Sequence, residues 1–326
     1  MTGLHRRRLL GGGLLAAVAG LGGCALALQP ETDRPLSRPL PPPEGNPPFG
    51  AERVLGVLEL DARRLGGEGL SGLHISDDLH LTAIGDRGAW CHARLVLDER
   101  GVPLRLEAPR AGRLHDARWR ALPVPFSADA ESLARLPDGS WLVGFERWHR
   151  IWRYRDLNGP AEPVRAPPRL EEAPLNGGLE SLAVLADGRW LAIAEKYHAD
   201  EAGALRHAWI GGPGGWQALA YRPAPGFDPS DACPLPDGGA LVLERHFSWL
   251  DGLRGRLCHI PAGRLARAGA GSVLEGDALL DLADPLPTDN WEGVSVFHHR
   301  GQRLAALISD DNGLAIQRTL LMVIRL

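Results

Sequence analysis

The chain has 326 residues, of which 44% are hydrophobic and 23% charged, with a formal charge of −4. That length holds one large domain or two ordinary ones, and the composition excludes a disordered, a collagen-like or a coiled-coil chain. Near-balanced charge argues against a nucleic-acid partner.

Residues 1–24 read as an export signal. His-Arg-Arg-Arg at 5–8 precedes an apolar, glycine-rich run from Leu9 to Gly23. The run is shorter than the roughly 20 residues a membrane span needs. Arg6-Arg7-x-Leu9-Leu10 resembles a twin-arginine signal, and Leu21-Gly22-Gly23-Cys24 resembles a bacterial lipobox. Cys24 would then carry lipid, anchoring an exported protein of the periplasm or cell envelope. Loss of Arg6, Arg7 and Arg8 takes the charge from −4 to −7, which favours cations. Residues 25–50 hold eight prolines and read as a semi-rigid tether. The folded domain is expected over 51–326, as a monomer. Cys91, Cys233 and Cys258 allow at most one disulfide, and small buried residues are the plainer expectation.

Five segments of the domain align. They open at Gly69-Leu-Ser-Gly-Leu73, Asp129-Ala-Glu-Ser-Leu133, Gly178-Leu-Glu-Ser-Leu182, Pro229-Ser-Asp-Ala-Cys233 and Asn290-Trp-Glu-Gly-Val294. Each continues through a turn into a second apolar run. Pro137-Asp138-Gly139, Ala186-Asp187-Gly188 and Pro236-Asp237-Gly238 are hairpin turns. The second runs are apolar almost throughout, which predicts strands buried on both faces. Further strand-like stretches follow, such as 151–155 and 205–211. Four strands in roughly 50 residues is the pattern of a propeller blade. The prediction is an all-β chain, a β-propeller of five four-stranded blades. An extra strand-like stretch at 118–124 leaves six open. Residues 53–60 are a spare strand, and pairing it with the C-terminal blade would close the ring and remove an edge.

The start of a blade's first strand and the end of its second share one face of the ring. Starts carry Glu131, Glu180, Asp231 and Glu292, with Ser71 the exception. Ends carry Asp86, Glu146, Glu195, Glu244 and Asp310. These nine carboxylates are the candidate metal ligands. Like charges so close raise one another's pKa, and a divalent cation would relieve them; calcium suits such an all-oxygen set. The residues that follow the ends, Arg87, Arg147, Lys196 and Arg245, are candidates to grip an anionic small molecule, with His246 beside them. Lys196 is the only lysine of the chain. A carboxylate recurring in every blade serves equally well as scaffold, holding arginines or backbone N–H groups. No nucleophile elbow, P-loop or Rossmann glycine motif occurs.

At these residues the sequence resembles the bacterial phytase-like family, described as "esterase-like activity of phytase". The resemblance runs from Val54 to Leu326. Its marks are the first, second and third openings above, Leu241-Val-Leu-Glu-Arg-His-Phe247, Asp289-Asn-Trp-Glu-Gly293, and Ser309-Asp-Asp-Asn312 with Gln317-Arg-Thr-Leu320. It implies an exported propeller and a phosphoester or ester hydrolase, with Glu131, Glu180, Asp231, Glu292 and Asp310 as the acidic set and Arg87, Arg147 and Arg245 as the basic set. Trp291 departs from the pattern, where a smaller aromatic is usual. The expectation is a calcium-dependent hydrolase with Glu180 or Glu292 as base. The alternative is a non-catalytic propeller that binds a ligand or protein of the cell envelope.

Overall fold

The computed structural model describes residues 35–326, apart from residues 68, 125, 251 and 315; the export segment and Cys24 lie outside them. The strands form five sheets, the blades. Blade I comprises Leu70–Ile75, His80–Gly85, Ala89–Leu97 and Pro103–Arg113. Blade II comprises Ala130–Arg135, Trp141–Phe145, Arg150–Tyr154 and Glu162–Val164. Blade III comprises Leu179–Val184, Trp190–His198, Arg206–Gly211 and Gln217–Arg222, with Val273–Glu275 parallel at its edge. Blade IV comprises Asp228–Pro234, Ala240–Ser248, Gly252–Ile260 and Asp277–Leu282. Blade V comprises Asn290–His299, Gln302–Asp310 and Leu320–Arg325, then Val54–Leu60 and Ser37–Pro39. Each first strand lies beside those of both neighbouring blades, the fifth beside the first. The architecture is a five-bladed β-propeller.

The hairpins form where the sequence places turn chemistry. Asp138, Asp187 and Asp237 each accept the backbone N–H two residues on, at 3.0 Å. The following Gly139, Gly188 and Gly238 have φ of 85°, 84° and 91°, where a side chain would be strained. The strands they join are buried throughout in Trp141–Phe145 and over most of Trp190–His198.

The hydrophobic core is divided into five slabs, one between each pair of adjacent blades. Blade I contributes Leu81, Ala83, Cys91, Ala93 and Leu95 to its slab with blade V. Trp291 is fully buried between blades IV and V. Trp141 and Trp190 pack in the slabs flanking blades II and III. Cys91, Cys233 and Cys258 are buried free thiols.

Residues 118–124 do not add a strand; an isolated bridge, His115↔Ala121, is all the pairing there, and among the described residues no sixth blade forms. The tether boundary also moves. Ser37–Pro39 pairs with Leu58–Leu60, Leu36 and Ser37 are buried, and Ser37 Oγ accepts the Leu106 N–H at 2.8 Å. The compact unit begins at Pro35, not near Ala51. Proline is tolerated there because the strand is an edge. Val54–Leu60 itself pairs antiparallel with Leu320–Arg325.

Candidate metal centre at the channel mouth

A β-bulge recurs at the start of every first strand. In blade III, Leu179 pairs with Ala194 and Ser181 with Ile193, leaving Glu180 as the extra residue. Glu131 and Glu292 are the extra residues of blades II and V. In blade I, Ser71 falls in the irregular stretch between the Leu70↔Gly85 and Leu73↔Ala83 pairs. In blade IV the extra residue is Ser230, between Pro229↔Glu244 and Asp231↔Leu243. Bulges re-aim side chains, and here they bring Glu131, Glu180 and Glu292 close enough for their charges to act on one another, while Ser230 donates to the Trp291 carbonyl at 3.0 Å.

Counting from the bulges, the second-strand positions matching Glu195 are Asp86, Glu146, Arg245 and Asp310. Blade IV is thus offset by one from the sequence alignment. Ser230 and Arg245 stand where Asp231 and Glu244 were expected. A one-residue offset reverses the face a strand side chain points to. Asp231 accepts the Ala232 and Val294 N–H groups, at 2.8 and 2.7 Å, and ties blade IV to blade V. Glu244 accepts the Tyr221 hydroxyl at 2.6 Å and the Ala224 N–H at 3.1 Å. Both carboxylates hold scaffold groups, and neither belongs to the groups of carboxylates that converge among the described residues.

Arg245 occupies the centre. Its guanidinium donates to Glu292 Oε1, to Asn290 Oδ1 at 2.9 Å and to Glu195 Oε1 at 2.8 Å, and lies 3.4 Å from Glu180 Oε2. Lys196 Nζ donates to the same Glu195 oxygen at 2.5 Å. Burial opposes charge on Glu195, but Arg245 and Lys196 outweigh it and hold its pKa below the ordinary value. Glu180 moves the other way, well up, because burial and the Glu195 charge outweigh Arg245. Glu292 is pushed up to about 8 by burial, against the pull of Arg245.

Among the described residues, the other half of the mouth has no cation placed as Arg245 is; Arg87 and Arg147 act there on Asp86. Ser71 Oγ donates to Glu131 Oε2 at 3.0 Å. Asp129 forms an ion pair with Arg147 at 2.7 Å, and Arg147 takes a left-handed φ of 59°. Glu146 accepts the Gly178 N–H at 3.1 Å. Asp129, Glu131 and Glu146 bring carboxylate oxygens within 4.8 Å of one another, and so do Glu146, Glu180 and Glu195. Glu146 belongs to both groups. Burial pushes Glu146 up to about 7, with Glu195 and Asp129 adding repulsion. Burial, then Asp129, Glu292 and Glu146, hold Glu131 well above its ordinary value. Burial takes Asp310 to about 7 and Asp86 to about 6. Asp86 Oδ1 is buried without a hydrogen-bond partner. The five converging carboxylates, four of them with raised pKa values, fit a hard divalent cation.

Asp129 is the residue the sequence reading passed over. It precedes its strand, at the position of Gly69 and Gly178 in blades I and III. At Gly69 a Cβ would come within 2.1 Å of the Asp86 carboxylate, so that blade has no room for a side chain. His149 was also missed. Its Nε2 faces the Ala173 and Pro174 carbonyls at 3.2 and 3.0 Å and therefore donates, leaving a buried Nδ1 acceptor without a partner. His246 turns to the Gly226 carbonyl, at 2.6 Å, and the Phe227 ring. Arg87 and Lys196 are exposed at the rim. Apolar side chains share that rim: Phe126, Trp148 and Phe247 are all more than half exposed.

A family model described as "Phytase-like: Esterase-like activity of phytase" matches residues 66–313. No curated protein matches the sequence. Among solved structures, the chain is similar to a catalytically inactive virginiamycin B lyase from Staphylococcus aureus with quinupristin. That match has 9% identity, 88% of this chain, 99% of the other and a TM-score of 0.43. It is similar also to the RRP9 WD40 repeats, at 11% identity, 89% and 97% coverage and a TM-score of 0.42. A third is the PQQ-bound aldose sugar dehydrogenase of Streptomyces coelicolor, at 14% identity, 88% and 97% coverage and a TM-score of 0.40. At these identities the likeness concerns the fold alone.

Proposed function

Because this chain belongs to the phytase-like family, we propose that it hydrolyses a phosphoester or ester bond of a small anionic molecule at a divalent-cation site in the channel mouth, with calcium as the ion. The observation that carries this reading is Glu146, shared by two groups of three converging carboxylates. Asp129, Glu131, Glu146, Glu180 and Glu195 would hold the ion, with Asp86 and Asp310 nearby. A cation there polarises a phosphoryl or carbonyl oxygen and lowers the pKa of a bound water.

The chain's own groups supply the rest. Lys196, Arg147 and Arg87 line the rim where the anionic part of a substrate enters. Glu292 Oε1 accepts from Arg245 and Asn290, so the proton it keeps near neutral pH sits on Oε2. From there it can pass to a leaving oxygen, which makes Glu292 an acid rather than the base the sequence suggested. Export, lipid attachment at Cys24, a place in the cell envelope and a monomeric state complete the proposal, on the strength of the sequence.

The test is turnover of a phosphoester and ester panel with calcium and with chelator. Loss of activity on chelation and in Glu146→Gln is expected; full activity in chelator sinks the proposal. Arg245 supports a second reading. It already serves as the cation for Glu180, Glu195 and Glu292, which suits a scaffold without chemistry. A ligand recovered unchanged, with no response to calcium, would favour that non-catalytic binding propeller.

A further inference from the structure

Blade I is apolar on one face and basic on the other. Toward blade V it presents Leu81, Ala83, Cys91, Ala93 and Leu95. Toward blade II it is apolar only near the mouth, at Ile84 and Trp90. Farther down, Thr82, His92 and Arg110 form one cross-strand row, and His80 and Arg94 pair in the next. Blade II offers Arg135 and Trp141 opposite, and the blades part to leave a cavity of about 660 Å³. The remaining charged walls are Arg155, Asp78 and Asp156.

The negative charges in this cleft are engaged. Asp78 accepts the Ser76 hydroxyl and lies 3.5 Å from His80, and Asp156 accepts the Asn158 N–H of its own turn at 2.8 Å. Arg155 is held by Glu162 at 2.8 Å. Arg135 lies 4.0 Å over the Trp141 ring. Among the described residues, Arg94, Arg110 and Arg135 have no carboxylate within 4.0 Å, whereas arginines elsewhere commonly do. An inter-blade face is the usual place for apolar packing, yet Arg94, Arg110 and Arg135 all line this one cavity. Planar donor forks around an open cavity are the chemistry that recognises phosphate.

We propose that the cleft between blades I and II is a binding site for a small, multiply charged anion of the phosphate type. It opens toward the end of Leu70–Ile75 away from Ser71, so it is separate from the mouth. Arg94, Arg110 and Arg135 grip the anion, and the Thr82–His92 pair, 2.9 Å apart, lines the wall beside it.

Calorimetric titration of the full chain with pyrophosphate, inorganic phosphate and glucose 6-phosphate tests this. Chelator is present throughout, so that no cation at the mouth can hold the anion. Saturable binding of pyrophosphate is expected. Charge-assisted hydrogen bonds of this kind predict a loss of at least about tenfold in affinity in Arg94→Gln/Arg110→Gln. Arg110→Lys, which keeps the charge, should retain part of the affinity, and Glu146→Gln should bind as the parent does. Circular dichroism checks that each variant is folded. Tighter glucose 6-phosphate than inorganic phosphate identifies an organic phosphate as ligand; the reverse order identifies the free anion. No saturable binding at millimolar pyrophosphate overturns the proposal. Undiminished binding in the double variant, or binding lost in Glu146→Gln, does so too. The Glu146 result also separates this site from the hydrolase reading, which stands or falls at the mouth.

Discussion

Blades III and IV have the same Asp-Gly hairpin, the same bulge and the same buried second strand, yet they do opposite things at the channel. Blade III sends in Glu180 and Glu195. Blade IV sends in Arg245, its bulged Ser230 bonding the Trp291 carbonyl, while its own acids, one residue away, hold backbone N–H groups and a tyrosine. A propeller repeats its frame, and each blade's chemistry depends on which residue falls on the bulge. By supplying a cation instead of two anions, blade IV keeps Glu195 ionised and offsets part of the burial of Glu180 and Glu292.

The largest effect should come from breaking that offset. Arg245→Met leaves Glu180, Glu195 and Glu292 buried without their partner, and stripping one side of a buried ion pair costs about 3–5 kcal/mol. Urea unfolding should show it. An unchanged midpoint would mean that the acids are already neutral and that blade IV offsets nothing.

Next is Glu146→Gln, on the half of the mouth that has no central arginine. At a hundredfold excess of calcium over Kd, a site present only in the folded state adds about 2.7 kcal/mol, and the variant should lose that gain while keeping its stability in chelator. A calcium response of normal size in the variant would place the ion elsewhere.

The pH dependence sharpens the same contrast. Glu146, Asp310 and Glu292 have pKa values near 7, 7 and 8 when folded, above their ordinary values of 3.8 to 4.5. From about pH 4.5 to 8 the folded state therefore holds protons that the unfolded chain has released. Without calcium, stability should fall as pH rises through that window, by about 1.4 kcal/mol per pH unit for each proton held. Glu195, with its pKa lowered, acts in the opposite sense, its contribution being lost toward acid. Calcium should flatten the fall, and its affinity should rise with pH. Thermal unfolding from pH 5 to 8, with and without the ion, reads both.

The smallest effects belong to the displaced acids of blade IV. Glu244→Gln and Asp231→Asn should each cost about 1 kcal/mol, one net hydrogen bond, and leave the calcium response intact. Loss of that response in either variant would restore the blade IV acids to the metal set.

These same residues mark how far the sequence could be read. The hairpins were legible because Asp-Gly between apolar runs leaves the backbone few choices. The acids of blades I, II and III were legible because each stands at a fixed offset from its hairpin, and those of blade V because Asn290-Trp-Glu-Gly-Val294 and Ser309-Asp310 repeat the same strand start and strand end. Blade IV was not: Ser230-Asp231 and Glu244-Arg245 each offer a residue of the expected type, and pairing across the strands decides between them. Asp129 was hidden because it precedes its strand, at a position where two other blades have glycine. Pro-rich composition suggested a free tether through residue 50, although Ser37–Pro39 joins the outer edge of blade V.

Blade V also bears on how the molecule assembles. Its sheet joins Val54–Leu60 to Leu320–Arg325, so a strand among the first of the domain to be made waits for the last. Until then Leu58 and Leu60 have no sheet to complete and the slab between blades V and I is open. Blades I, II and IV and the first four strands of blade III are built from near neighbours in sequence and can zip locally, whereas this last seam closes a loop of about 260 residues between Val54–Leu60 and Leu320–Arg325 and is expected to be the slow, aggregation-exposed step of folding.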